Sequence, residues 1–181
     1  MPLTPLHYPL AYLIYRLNRR LSLPGLVVGS MLPDIEIPVM LILFGARIPP
    51  RLVLHSLLGA TTLGTLISLV ATILIYPALV STVFSIKEVE VKEKCKFSSN
   101  LFFSCLLGNL SHVLLDCTNH DYNPIFWPFL MPEGTPSLVC SALGGRERAS
   151  LIVQVILIAV LLIILLISRC GNLWKNLFVG E

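Results

Sequence analysis

The sequence predicts an all-α fold, a polytopic transmembrane bundle of about four to five helices, one of them broken at Pro33-Asp34. Charged residues make up 13% of the 181 and hydrophobic residues 55%, with a mean hydropathy of +0.83. Soluble domains carry nearer ~25% charge. A soluble fold of this length could bury a core but would still need a charged surface, so most of the outer surface is expected to face lipid. Apolar stretches of helix length recur, and the basic residues gather in the connections between them, as in membrane proteins. The length suits one membrane-embedded unit over residues 1–181.

Five helical segments are expected. The first runs from about Pro5 to Arg20. It is short for a crossing, which takes ~20 apolar residues, and it ends in Arg16, Arg19 and Arg20. The second runs from about Pro24 to Ala46 and contains Pro33-Asp34-Ile35-Glu36-Ile37-Pro38. Proline cannot continue a helix but opens one well, so this segment is expected to break there, with Asp34 in the first turn of its second half. The third runs from about Pro50 to Tyr76 and carries His55-Ser56. The fourth runs from about Leu101 to Cys117 and ends in Ser111-His112-Val113-Leu114-Leu115-Asp116. The fifth, from about Ser150 to Ser168, is nearly pure Ile, Leu and Val and reads as an anchor. Residues 87–96 alternate Lys and Glu and read as a solvated charged loop. Residues 118–148 form a long loop rich in Pro and Gly, a type that is often functional. Trp127-Pro128 and its aromatic neighbours read as an interface anchor.

Several classes are excluded or disfavoured. A net charge of +3 is too small to argue for nucleic acid. The cysteines, Cys95, Cys105, Cys117, Cys140 and Cys170, are odd in number without a CxxC pair, which implies neither a zinc ribbon nor a disulfide framework; Cys117 and Cys140 are not expected to pair. No nucleophile elbow, P-loop or dinucleotide fingerprint is present. The N-terminus lacks the basic region of a cleavable signal, so the apolar segments are expected to direct insertion. If all five segments cross, one side holds nine basic residues (Arg16, Arg19, Arg20, Lys87, Lys92, Lys94, Lys96, Arg169 and Lys175) and the other four (Arg47, Arg51, Arg146 and Arg148). The nine-charge side is then cytoplasmic, and His7, His55, Asp116 and His120 fall toward the extracytoplasmic side.

Ionisable groups inside membrane segments are costly and point to function. Here they are His, Asp and Glu, a donor set that suits Zn²⁺ and other first-row divalent ions such as Mn²⁺. His112 and Asp116, four residues apart, share a helix face and can reach one metal; the competing reading is a buried His–Asp hydrogen bond between helices. Asp34 sits at the expected break, where an irregular backbone is tolerated if it lines a cavity or is buried in protein. Glu36 would point away from Asp34 in a regular helix. His55 opens its segment, His7 lies near the N-terminus, and His120 follows Asp116 by four residues in a loop.

The order of these motifs resembles the membrane-bound metal-dependent hydrolase family of bacteria and archaea, small multi-span proteins of largely unassigned substrate that are distantly similar to zinc-dependent phospholipase C. The residues that carry the resemblance are His7, Leu32-Pro33-Asp34-Ile35-Glu36, His55-Ser56, Gly108-Asn109-Leu110-Ser111-His112-Val113-Leu114-Leu115-Asp116, Thr118 and Trp127-Pro128. They cover residues 1 to about 130. Many members carry a second His in a His-Arg-Gly-x-Thr-His-Ser run; here the run is Pro50-Arg51-Leu52-Val53-Leu54-His55-Ser56, so one ligand of that pattern is absent.

The resemblance implies a metal-dependent hydrolase in the cell membrane of a bacterium or archaeon. His7, Asp34, His55, His112 and Asp116 would hold the metal, with Glu36 or His120 as auxiliary ligand or general base. A bilayer-embedded site suggests a lipid-like, amphiphilic substrate, plausibly a phosphoester. Two rivals use the same residues. One is a transporter or channel for protons or divalent cations. The other is a non-catalytic scaffold whose polar groups bind helices together. The oligomeric state cannot be read from the sequence.

Overall fold

The structure, a computed structural model, describes residues 4–47, 49–131, 136–168 and 172–180. Among these residues the chain is all-helical, with one isolated bridge between Tyr122 and Pro136. A 3-10 turn, Thr4–His7, leads into α1, Tyr8–Leu17, with Pro9 in its first turn, where the missing N–H costs nothing. Ser22 caps α2, Leu23–Met31, by accepting the Gly25 N–H at 3.4 Å. A 3-10 turn, Leu32–Ile35, joins α2 to α3, Glu36–Phe44. Ser56 caps α4, Leu57–Leu74, by accepting the Gly59 N–H at 2.9 Å. Within α4, Ala60–Gly64 forms a π turn. There follow α5, Tyr76–Phe84, α6, Glu88–Lys94, α7, Ser99–Asp116, α8, Leu138–Ala142, α9, Arg146–Ile167, and α10, Leu173–Phe178.

Among the described residues, three stretches are long and apolar enough to cross a membrane: Leu23–Phe44, Leu57–Leu74 and Arg146–Ile167. Two of the five expected crossings differ from these. The first segment is helical only over the 10 residues of α1, roughly 15 Å at 1.5 Å per residue, about half the hydrocarbon thickness. The fourth, α7, has 18 residues but is less apolar, because it carries the polar side chains of the bundle interior. Ser104, Asn109, Ser111, His112 and Asp116 are all buried along it.

The break at Pro33-Asp34 is a tightening into 3-10 geometry and not an interruption, so α2 and α3 run on through it. Residues 50–56 precede helix α4 instead of opening it. The charged stretch expected as a loop over residues 87–96 contains α6, whose Glu88 and Lys92 pair at 2.8 Å one turn apart. The expected loop over residues 118–148 contains α8 and the start of α9.

In lipid no hydrophobic force drives helices together, so association rests on close packing of small residues and on interhelical hydrogen bonds. Both hold α2 against α7, the most extensive pairing in the fold. A Cβ on Gly29 would lie 2.5 Å from the Cys105 carbonyl oxygen, and one on Gly108 would lie 2.6 Å from that of Leu26. The two backbones therefore touch, which leaves no tolerance in the registry of the side chains beyond. Asn109 extends the contact to α4, its Nδ2 donating to Ser68 Oγ at 2.9 Å. Toward the other end of the bundle, Tyr8 and Tyr76 hydroxyls donate to the carbonyls of Leu177 and Phe178, each at 2.8 Å, and fix α10.

Candidate metal centre

Four chain segments end at one place. The turn before α1 brings His7, the turn after α2 brings Asp34, the residues before α4 bring His55, and the end of α7 brings His112 and Asp116. All five side chains are buried, from fully for His112 to 7% exposed for Asp34. Asp34 is the twelfth residue of the 22-residue apolar stretch Leu23–Phe44, and His55 lies just before the apolar stretch Leu57–Leu74.

The local sequence explains how the imidazoles are held. Ser30 lies in the last turn of α2, where carbonyls lack a further α-helical turn to pair with and are open to other donors. The Ser30 carbonyl accepts from His112 Nδ1 at 2.8 Å. His55 Nδ1 donates to Glu36 Oε2 at 2.8 Å. Glu36 is itself held by the Val53 N–H on Oε1 at 2.6 Å and the Leu54 N–H on Oε2 at 3.0 Å. A donor fixed at Nδ1 leaves the Nε2 lone pair as the metal-binding atom of a neutral imidazole, and a carbonyl or carboxylate on the far nitrogen is the usual support of a ligating histidine.

The ring nitrogens and the carboxylates face one another. His112 Nε2 lies 3.6 Å from Asp34 Oδ1 and 3.6 Å from Asp116 Oδ2. His55 Nε2 lies 3.8 Å from Asp34 Oδ1 and 3.7 Å from Asp116 Oδ2. These separations are too long for hydrogen bonds. The ligand atoms of a four-coordinate zinc ion, about 2.0–2.1 Å from the metal, lie roughly 3.3–3.4 Å apart. The His112 ring stacks on His7, with centroids 4.0 Å apart. His7 Nδ1, His55 Nε2, His112 Nε2, both Asp34 oxygens and Asp116 Oδ1 are buried without a hydrogen-bond partner. Two overlapping trios, His7–His112–Asp116 and Asp34–His55–His112, each bring their ligand atoms within 4.8 Å of one another. Imidazole nitrogens and carboxylates at this spacing fit a first-row divalent ion.

The other two residues singled out from the sequence sit differently. Glu36 touches the cluster through His55 and through backbone N–H groups, so it orients a ligand. His120 lies outside both trios, and its Nε2 meets the Arg51 guanidinium. Burial and the Arg51 charge pull His120 down to about 4, which keeps its ring neutral. Arg51 is a participant the sequence reading passed over as a loop charge. Its Nη1 donates to Asp116 Oδ2 at 2.9 Å, and its Nη2 lies 3.8 Å from Asp34 Oδ1. The guanidinium thus closes the cluster from the loop side. The Ser30 carbonyl was equally hidden, since a backbone acceptor leaves no residue-type signal. The adjoining loop docks on α4, where the Leu57 N–H donates to the Ile125 carbonyl at 3.0 Å. Beyond it Phe126, Phe129, Leu130 and Met131 are exposed, as suits a segment at the membrane interface.

Residues 7–176 match the family profile described as YdjM inner membrane protein. No curated protein and no solved structure matches the chain.

Proposed function

The chain belongs to the YdjM inner membrane protein family, and we propose from the geometry of its buried cluster that it is a membrane-embedded, metal-dependent hydrolase acting on an amphiphilic phosphoester. The observation that carries this reading is the way the unpartnered Nε2 atoms of His55 and His112 and the unpartnered oxygens of Asp34 are turned toward one another and toward the Asp116 carboxylate. Drawn from the two trios that share His112, these side chains and His7 would hold a divalent ion with a coordination position left open, zinc by the nature of the donors. Bound there, that ion would supply Lewis acidity for hydrolysis.

The protein's own groups divide the remaining work. Glu36 and the Ser30 carbonyl fix the two imidazoles. Arg51 presents a planar fork of donors beside Asp116, the geometry that recognises a phosphoryl group. When Arg51 turns to a phosphoryl oxygen, His120 Nε2 is released as a neutral proton acceptor. Glu36 is unsuited to that role, because three donors already occupy its carboxylate. An apolar groove of about 570 Å³ supports a lipid-like substrate. It runs between Val27, Met31 and Ile35 on one side and Ala71, Leu79 and Val83 on the other. It reaches Thr4, whose side chain neighbours Asp34.

The test is hydrolysis of phosphatidic acid and related lipid phosphoesters in mixed micelles by the zinc-loaded, full-length protein. The reading expects turnover that chelation and Asp116→Asn both abolish. A protein that binds zinc tightly, turns over no phosphoester and moves the ion across vesicle membranes would contradict it in favour of ion transport.

A further inference from the structure

A second charged cluster lies at the opposite end of the bundle and takes no part in the metal centre. The start of α2, the end of α1 and the connection from α6 to α7 enclose a cleft of about 290 Å³ lined by Arg19, Arg20, Lys94 and Lys96. Glu93 is the one acidic lining residue, and it is committed to Lys96 at 2.7 Å. Among the described residues no carboxylate pairs with Arg19, Arg20 or Lys94. Three uncompensated cations round one cleft repel each other.

The fold nevertheless holds their backbones in place. Asn18 pins the α1–α2 turn, its Oδ1 accepting from Arg20 N–H at 3.1 Å and its carbonyl from Leu21 N–H at 3.1 Å. Ser22 joins the two sides of the cleft, its Oγ donating to the Lys94 carbonyl at 3.2 Å. Ser22 N–H donates in turn to Ser104 Oγ at 2.7 Å. The cleft also sits at bilayer-surface depth. It adjoins Leu23, the first residue of the apolar stretch Leu23–Phe44, and exposed apolar side chains flank it, Leu17 at 89% and Phe97 at 73%.

We propose that this cleft binds the phosphate headgroup of an anionic phospholipid from the surrounding leaflet. Charge complementarity selects the headgroup, since basic residues at this depth attract anionic lipids. Leu17 and Phe97 meet the acyl region beside it. The site is independent of the hydrolase reading.

The experiment is thermal unfolding of the full-length protein in a neutral detergent with added phosphatidylglycerol, phosphatidylcholine or inorganic phosphate. Phosphatidylglycerol should raise the unfolding midpoint by several degrees more than phosphatidylcholine. The difference should vanish in the Arg20→Gln/Lys94→Gln double variant and survive in Arg148→Gln. These side chains are exposed, so their removal leaves the packed core untouched. Equal shifts with the two lipids, or an undiminished phosphatidylglycerol shift in the double variant, would overturn the proposal. A matching shift from inorganic phosphate alone would overturn the lipid as occupant.

Discussion

The imidazoles of His7 and His112 lie face to face, centroids 4.0 Å apart and planes 17° from parallel. On the proposed reading His7 would contribute twice, as a donor atom and as the plate against which His112 is held.

His7→Phe separates the two roles. It keeps an aromatic ring against His112 and removes the nitrogen. Metal affinity should fall by more than about tenfold, the scale of losses seen even for outer partners of ligands, while the melting temperature of the metal-free protein stays near the original. His7→Ala should lower both. Competition titration with a chromogenic chelator and melts in detergent read the two quantities.

Glu36 acts through His55. Glu36→Gln should weaken metal binding by roughly 10–100-fold and cost part of the stability, because its single amide oxygen serves only one of the two backbone N–H groups and its NH2 faces the other. Glu36→Ala should also destabilise the metal-free protein by about 1–3 kcal/mol, since the Val53 and Leu54 N–H groups lose their acceptors. Equal behaviour of the two variants in both assays would count against an orienting role.

The metal centre depends on the close approach of α2 and α7. Gly29→Ala places a methyl 2.5 Å from the Cys105 carbonyl oxygen, in contact with rigid backbone. The helices must separate, at about 1–3 kcal/mol, and the Ser30 carbonyl moves away from His112. Thermal unfolding should show the loss of stability and metal titration a parallel loss of affinity.

His120 gives the pH dependence a sign. Its folded-state value is drawn down from 6.5 to about 4, so the unfolded chain binds the proton more readily between those values. The stability it contributes is present above pH 6.5 and is lost progressively as the pH falls toward 4. His120→Gln should flatten the melting-temperature profile across that window. A profile unchanged by the substitution would contradict the contact with Arg51.

Much of this was legible before the coordinates. Residue composition predicts helices in lipid, and the i, i+4 spacing of His112 and Asp116 predicts a shared face. Pro33 marks a change of helix geometry at Asp34, though the change is a 3-10 tightening because Pro33 is accommodated without interrupting the apolar stretch. The secondary structure of residues 87–96 was misread, since alternating Lys and Glu fit a solvated loop and a solvated helix equally well. The place of His120 was hidden because its partner, Arg51, lies far away in sequence. The charge count saw Arg51 only as a loop cation, whereas the folded chain turns it back over Asp116.

Metal content of the purified full-length protein and of His112→Ala, measured side by side by inductively coupled plasma mass spectrometry, tests the central claim most directly. The account predicts a near-stoichiometric divalent ion in the unmodified protein and its loss from the variant, with the variant still folded by circular dichroism. A folded His112→Ala protein that retains the full complement of metal would contradict it.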